Sequence, residues 1–180
     1  MKLVISYIDE EYASSYFHLG QVFHFKGLLN EAIECFNKVF SLLGPKEKLV
    51  YIERGKVYQD LTNHLMAIND FNSAIGIDKD SISEEENPMI DTLPYIYRGI
   101  SKAKLRRFDE AIQDFNFALN KGSDEAIVYD GLAYAQHSLK NNEDEVLSNY
   151  QKALSRDPNN IYILLNRAQT YYDTKDFDVY

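Results

Sequence analysis

The side chains with the clearest capacity for chemistry are few: His18, His24, His64, His137, the single Cys35, and two arginines that stand directly before glycines, Arg54 and Arg98. Histidines bind metals or shuttle protons when carboxylates, thiols or further imidazoles share their face, but these four show no metal-ligand spacing and Cys35 has no second thiol. No phosphate-cradling glycine loop occurs, and no nucleophile is matched with a base. The residues therefore point to no catalytic group, no metal and no cofactor, and an enzyme is not expected. The arginines are harder to dismiss. Each interrupts an otherwise apolar helical stripe, where a charge needs either a structural partner or a ligand.

The elements that carry these arginines repeat. The stretch from Tyr51, "YIERGKVYQDLTNHLMAINDFNSAI", returns from Tyr95 as "YIYRGISKAKLRRFDEAIQDFNFAL". Small residues mark the register at Gly20, Gly55, Gly99, Ala133 and Ala168, with spacings of 35, 44, 34 and 35. Four residues before each mark stands a large side chain: Tyr16, Tyr51, Tyr95, Tyr129 or Leu164. Three after it come Phe23, Tyr58 and Tyr171, whereas Lys102 and Gln136 break the pattern. At twelve, sixteen and nineteen after the first three marks come Ala32, Ala67 and Ala111, then Phe36, Phe71 and Phe115, then Val39, Ala74 and Ala118. The fourth copy reaches Val146, Tyr150 and Ala153 one residue late, which places an extra residue in "KNNED". Offsets of three and four share a helix face, so each unit holds two amphipathic helices broken near "KGLLN", "LTNH", "LRRF" or "KNNED". A small residue on the first helix then faces the second helix and lets the two approach closely. One such pair cannot bury its own stripes, so copies must stack.

The set of aromatic, small residue, tyrosine, Ala, Phe and Ala, closed in the fourth copy by "SRDPNN" with Pro158, resembles the tetratricopeptide repeat. Tryptophan is absent, and glycine is mostly missing from the inner turns. The resemblance implies an all-α fold, a right-handed superhelical solenoid of antiparallel helix pairs. It covers residues 1–180 as a single domain, with repeats at 13–46, 48–81, 92–125 and 126–160, a partial fifth at 161–180 and an insertion at 82–91. The insertion, "ISEEENPMID", reads as an exposed loop; a sharper reading gives Glu84, Glu85 and Glu86 a basic partner. Both ends resemble interrupted repeats, which suggests a segment of a longer array, or self-association through exposed solenoid ends.

Proteins of this resemblance typically bind a peptide or helical segment of a partner on the concave face formed by their first helices. The positions expected there include Phe17, Gln21, Ile52, Lys56, Ile96, Tyr97, Ile100, Tyr134, Asn166 and Gln169. Ile52, Ile96, Tyr97, Ile100 and Tyr134 make the middle of that face apolar enough to hold an apolar or amphipathic segment. The lysine, asparagine and arginine clamp by which some relatives hold chaperone tails is absent in this register, where Phe17, Gln21, Glu53, Leu93 and Tyr97 stand. The expected function is a protein interaction scaffold or adaptor; the alternative is a non-catalytic arm of a larger enzyme, secretion or chaperone assembly.

Composition narrows the partners. The 180 residues are 45% apolar and 26% charged, with net charge −9 and pI about 4.9, a field that repels nucleic acid and anionic lipid. No apolar run approaches membrane-spanning length and no secretory signal is apparent, so the cytoplasm is the expected location. Within a unit, the residue before each mark should pack near the one before the core aromatic. That rule pairs Arg54 with Asp70 and Arg98 with Asp114, against Leu19 with Cys35 and Leu132 with Asn149. These ion pairs would clamp the two helices of one unit. Arg167 would then need an acid beyond Tyr180.

Overall fold

The computed structural model describes residues 2–80 and 88–175. Among them run nine α-helices and no strand: α1 (Lys2–Phe25), α2 (Leu29–Leu43), α3 (Lys48–Asp60), α4 (His64–Asp80), α5 (Pro88–Lys104), α6 (Phe108–Asn120), α7 (Ala126–Ser138), α8 (Glu143–Arg156) and α9 (Ile161–Lys175). The chain divides into two compact units, Met1–Glu86 and Asn87–Tyr180. In the first, α1 pairs with α2 and α3 with α4; in the second, α5 pairs with α6 and α7 with α8, and α9 packs on both α7 and α8. Residues 88–91 of the inserted stretch are helical and begin α5. A proline suits the first helical position, because the amide it lacks would have no partner there. Residues 82–87, with Glu84, Glu85 and Glu86, lie outside the described residues.

The close approach inside each pair comes from the glycine marks. A Cβ added at Gly20 would meet the Phe36 ring at 2.8 Å, at Gly55 the Phe71 ring at 2.5 Å, and at Gly99 the Phe115 ring at 2.9 Å. All three rings are fully buried. Phe115 is shared, since a Cβ at Gly131 on α7 would meet it at 2.5 Å. In the second unit this ring joins Ile96, Phe108, Val128 and Leu132 in one core. In the fourth pair Tyr150 replaces the phenylalanine, and burial pushes its phenol well above the usual range. Its hydroxyl bonds to Thr170 on α9, whose own hydroxyl donates to the Asn166 carbonyl at 3.1 Å.

The turns inside the pairs share a device that the sequence conceals. Gly27, Thr62, Arg106 and Lys140 each stand seven residues after a mark, and all four adopt left-handed φ, at 75°, 58°, 61° and 57°. Each turn closes with the same two backbone bonds. In the second pair the Thr62 amide donates to the Gln59 carbonyl at 2.8 Å and the Asn63 amide to Tyr58 at 2.8 Å. In the third, Arg106 donates to Ala103 at 3.0 Å and Arg107 to Lys102 at 2.9 Å. These are the two bonds of a Schellman helix end, which normally takes glycine at the left-handed residue. Only the first turn has it. The turn geometry therefore comes from hairpin packing rather than from the local residue, and a β-branched threonine is held there against its preference. Thr62→Gly is expected to raise the unfolding free energy by about 1 kcal/mol in urea titrations. A neutral or destabilising result would mean that the threonine side chain stabilises the turn by other means.

Candidate functional site

The arginines come first because they connect the helices. Arg54 on α3 donates from Nε to Asp70 Oδ2 at 2.8 Å and from Nη2 to Oδ1 at 2.7 Å. Arg98 on α5 makes the same fork to Asp114, at 2.9 and 2.6 Å. Both carboxylates are buried. Burial is the largest influence on Asp70 and pushes its carboxyl above the usual range, while the Arg54 bonds and charge pull it back. Arg54 also reaches backward, from Nη1 to Asn37 Oδ1 on α2 at 2.5 Å, with its guanidinium 4.7 Å from the centre of the Phe40 ring. Arg167 takes the corresponding route, from Nη1 to Gln151 Oε1 on α8 at 3.2 Å. Asn37 and Gln151 each follow the core aromatic of the preceding pair, so this arginine position can join successive pairs as well as clamp its own.

Two residues that break the aromatic pattern belong to the same polar layer. Lys102, with a side chain 10% exposed, donates to Asp114 Oδ2 at 2.8 Å, so one buried carboxylate faces two cations. Gln136 accepts from Asn149 Nδ2 at 2.8 Å and donates to Glu145 Oε1 at 2.6 Å. Asn149 thus bonds to Gln136 rather than to anything on Leu132, which is buried in the core. The missed signal was the coincidence itself: a polar residue replaces the aromatic in the two units whose second helix carries Asp114 or Asn149.

The residues expected on a partner-binding face separate into three groups. Ile52 and Ile96 are 1% exposed and Ile96 packs with Phe115 and Val128, so neither is available to a partner. This corrects the sequence expectation for these two residues: in the second and third repeats the side chain three before the mark turns into the core rather than toward solvent. In the first unit Phe17 is half-buried with its ring centre 5.9 Å from that of Phe36, Gln21 bonds to His18 at 3.2 Å, and Lys56 donates to both Glu53 oxygens at 2.9 and 3.0 Å. In the second unit Tyr97 is half-buried, while Ile100, Tyr134, Asn166 and Gln169 all line clefts.

A cleft of 260 Å³ is bounded by Ile100, Ala103 and Lys104 of α5, by Ile127, Asp130, Gly131 and Tyr134 of α7, and by Asn166 of α9, with Phe115 at its floor. Tyr134, 38% exposed, also borders a larger cleft of 810 Å³ with Arg106, His137, Gln169 and Asp173. Side chains 36 residues apart tie α7 to α9 along this surface. Asn166 Nδ2 donates to Asp130 Oδ1 at 3.0 Å, and His137 Nε2 meets Asp173 Oδ2 at 3.1 Å. The first unit has a counterpart of the second contact in His24 and Asp60, at 2.7 Å and also 36 residues apart. Burial is the main influence on Asp130 and raises its carboxyl above the usual range, opposed by the Asn166 bond and the Lys104 charge. Cys35 is buried in α2, and burial raises its thiol. No group of three or more metal-ligating side chains occurs among the described residues, and no helix among them is long and apolar enough to cross a membrane.

The tetratricopeptide repeat pattern matches residues 13–42 and 50–81. No curated protein matches the sequence. Among solved structures, the APC/C hetero-tetramer Cut9-Hcn1 superposes with a TM-score of 0.77 at 22% identity, over 88% of this chain and 29% of that one. A tetratricopeptide repeat protein from Parabacteroides merdae gives 0.70 at 21%, over 89% and 58%. YrrB, described as a tetratricopeptide repeat protein with an unusual peptide-binding site, gives 0.64 at 18%, over 89% and 76%. This chain therefore spans less than a third of the first of these chains and just over half of the second. Residues 13–42 and 50–81 thus match tetratricopeptide repeats, the same glycine–aromatic contact recurs in the third pair, and the chain shares the all-helical repeat fold of these structures.

Proposed function

We propose that this chain is a non-catalytic interaction scaffold whose second unit holds a peptide or helical segment of a partner between α5, α7 and α9. One observation carries the reading: apolar Ile100, Ile127 and Tyr134 stand with polar Asp130 and Asn166 around a single open cleft. Apolar walls with a few placed polar groups are the usual make-up of a recognition site. A repeat fold supports it, because stacked pairs present an extended surface made of side chains from several helices. Tyr97 and Gln169 would extend the contact beyond the cleft within the second unit; Phe17, Gln21 and Lys56 are proposed as a separate contact set on the first unit. A second reading is a non-catalytic arm of a larger assembly; it is favoured by the fold match to a subunit chain of a hetero-tetramer, of which this chain spans 29%.

A random peptide library displayed on phage and panned on the chain tests the first reading. Bound sequences, remade as synthetic peptides, are expected to lose about tenfold or more in affinity when Ile100→Ser and Tyr134→Ala are combined, with helical circular dichroism preserved. Peptides that bind the double variant as tightly as the original would remove the cleft from the function.

A further inference from the structure

Asp130 stands three residues before its mark, the register that holds Ile52 and Ile96 in the two preceding units. Those isoleucines are 1% exposed core residues, whereas here a carboxylate takes the place. Its neighbour Gly131 occupies the register of His18, Glu53 and Tyr97, so the side chain that would cover the carboxylate is missing. The two changes together open the cleft and put an acid in it. Unlike Asp70 and Asp114, this acid has no arginine: Asp130 Oδ1 accepts from Asn166 Nδ2, and among the described residues no donor reaches Oδ2. Asn166 must turn its amide nitrogen to the carboxylate, which can only accept, so its own oxygen faces elsewhere and takes no hydrogen bond among the described residues. One acceptor oxygen, Asp130 Oδ2, is therefore left open to an incoming donor in a partly buried cleft whose walls include Ile100, Ala103 and Tyr134.

Such a place suits a flat, donor-rich, weakly hydrated cation. A guanidinium supplies several coplanar N–H donors, tolerates apolar surroundings better than an ammonium, and stacks on aromatic faces. We propose that Asp130 and Asn166 form a subsite for an arginine side chain of the bound segment, with an adjacent apolar side chain of that segment resting on Ile100 and Tyr134. The inference rests on the cleft reading above and names the chemistry that the cleft selects. Lys104 acts against it. Its ammonium contributes positive charge at Asp130 and would repel an arginine entering there. Removing the two charges should therefore have opposite effects.

The panned peptides provide the test. Those dependent on Ile100 and Tyr134 are expected to be enriched in arginine beside an apolar residue. Replacing that arginine by citrulline, which keeps the shape and loses the charge, should weaken binding to the unaltered chain about tenfold. Asp130→Asn keeps an acceptor for Asn166 and should give the same loss with the arginine peptide, with little further loss for the citrulline peptide. Lys104→Gln should tighten the arginine peptide about twofold to threefold. Cleft-dependent peptides without arginine enrichment, or indifferent to Asp130→Asn, would overturn the arginine subsite and leave the cleft reading standing. A failure to recover any cleft-dependent peptide would overturn both.

Discussion

Phe115→Ala is expected to lower the unfolding free energy of the second unit by about 3–5 kcal/mol, at the upper end for a single core truncation. The reason is the number of helices that the ring serves. It fills the space left by Gly99 on α5 and by Gly131 on α7 while belonging to α6. Deleting it leaves a cavity that none of these helices can close without moving relative to the other two. The converse substitution tests the same contact. A Cβ at position 131 would lie 2.5 Å from the fully buried ring, closer than a real contact allows, so the ring or a helix must shift. Gly131→Ala should therefore cost about 1–3 kcal/mol by overpacking. Combined with Phe115→Leu it should cost less than the sum, because the smaller side chain yields the volume that the methyl needs. Urea unfolding of the three variants decides it: strict additivity would show that ring and glycine do not share a contact.

Asp114→Ala should be comparably damaging, by about 3–5 kcal/mol, because it removes the shared carboxylate from two partly buried cations instead of one. Arg98 and Lys102 have side chains only 17% and 10% exposed, and both aim at the same carboxylate. Asp70→Ala is expected to cost less, since among the described residues that carboxylate holds one cation, Arg54, where Asp114 holds two. The chain also contains its own repair. At the three corresponding positions the first unit carries Leu19, Phe23 and Cys35. Substituting Arg98→Leu, Lys102→Phe and Asp114→Cys together should recover most of the loss, as apolar replacement of whole buried ion pairs often does. The decisive measurement is a double-mutant cycle on Arg98 and Asp114 by chemical denaturation. A coupling energy indistinguishable from zero would reject the clamp, whatever the single variants cost.

Much of this architecture was legible in the residues. The spacing from Gly20, Gly55 and Gly99 to their phenylalanines is a contact distance in a helical hairpin, so it could be read as one. The arginine–aspartate forks were legible for the same reason, because both members change together between units. Other features follow from balances that no single residue reveals. Thr62, Arg106 and Lys140 give no local hint of a left-handed turn; the packing of the hairpins imposes it. Ile52 and Ile96 lie on the border between the core and the open face, and one helical offset cannot say on which side a side chain will fall. Asp130 shares that border register, which is why its exchange for a core isoleucine acquired meaning only once the burial of the other two was known. Lys102 and Gln136 looked like defects in an aromatic pattern until their buried partners were in view.

The reach of Arg54 has a further consequence for how the first unit comes apart. In a linear array, the free energy divides into a part intrinsic to each repeat and a part from the junction with its neighbour. Most side chains contribute to one of these. Arg54 contributes to both, through Asp70 within its own hairpin and Asn37 in the one before. Its loss therefore weakens the junction and the repeat together, and the junction is what makes neighbouring repeats melt as one event. Such a residue governs the sharpness of the unfolding transition as much as its midpoint.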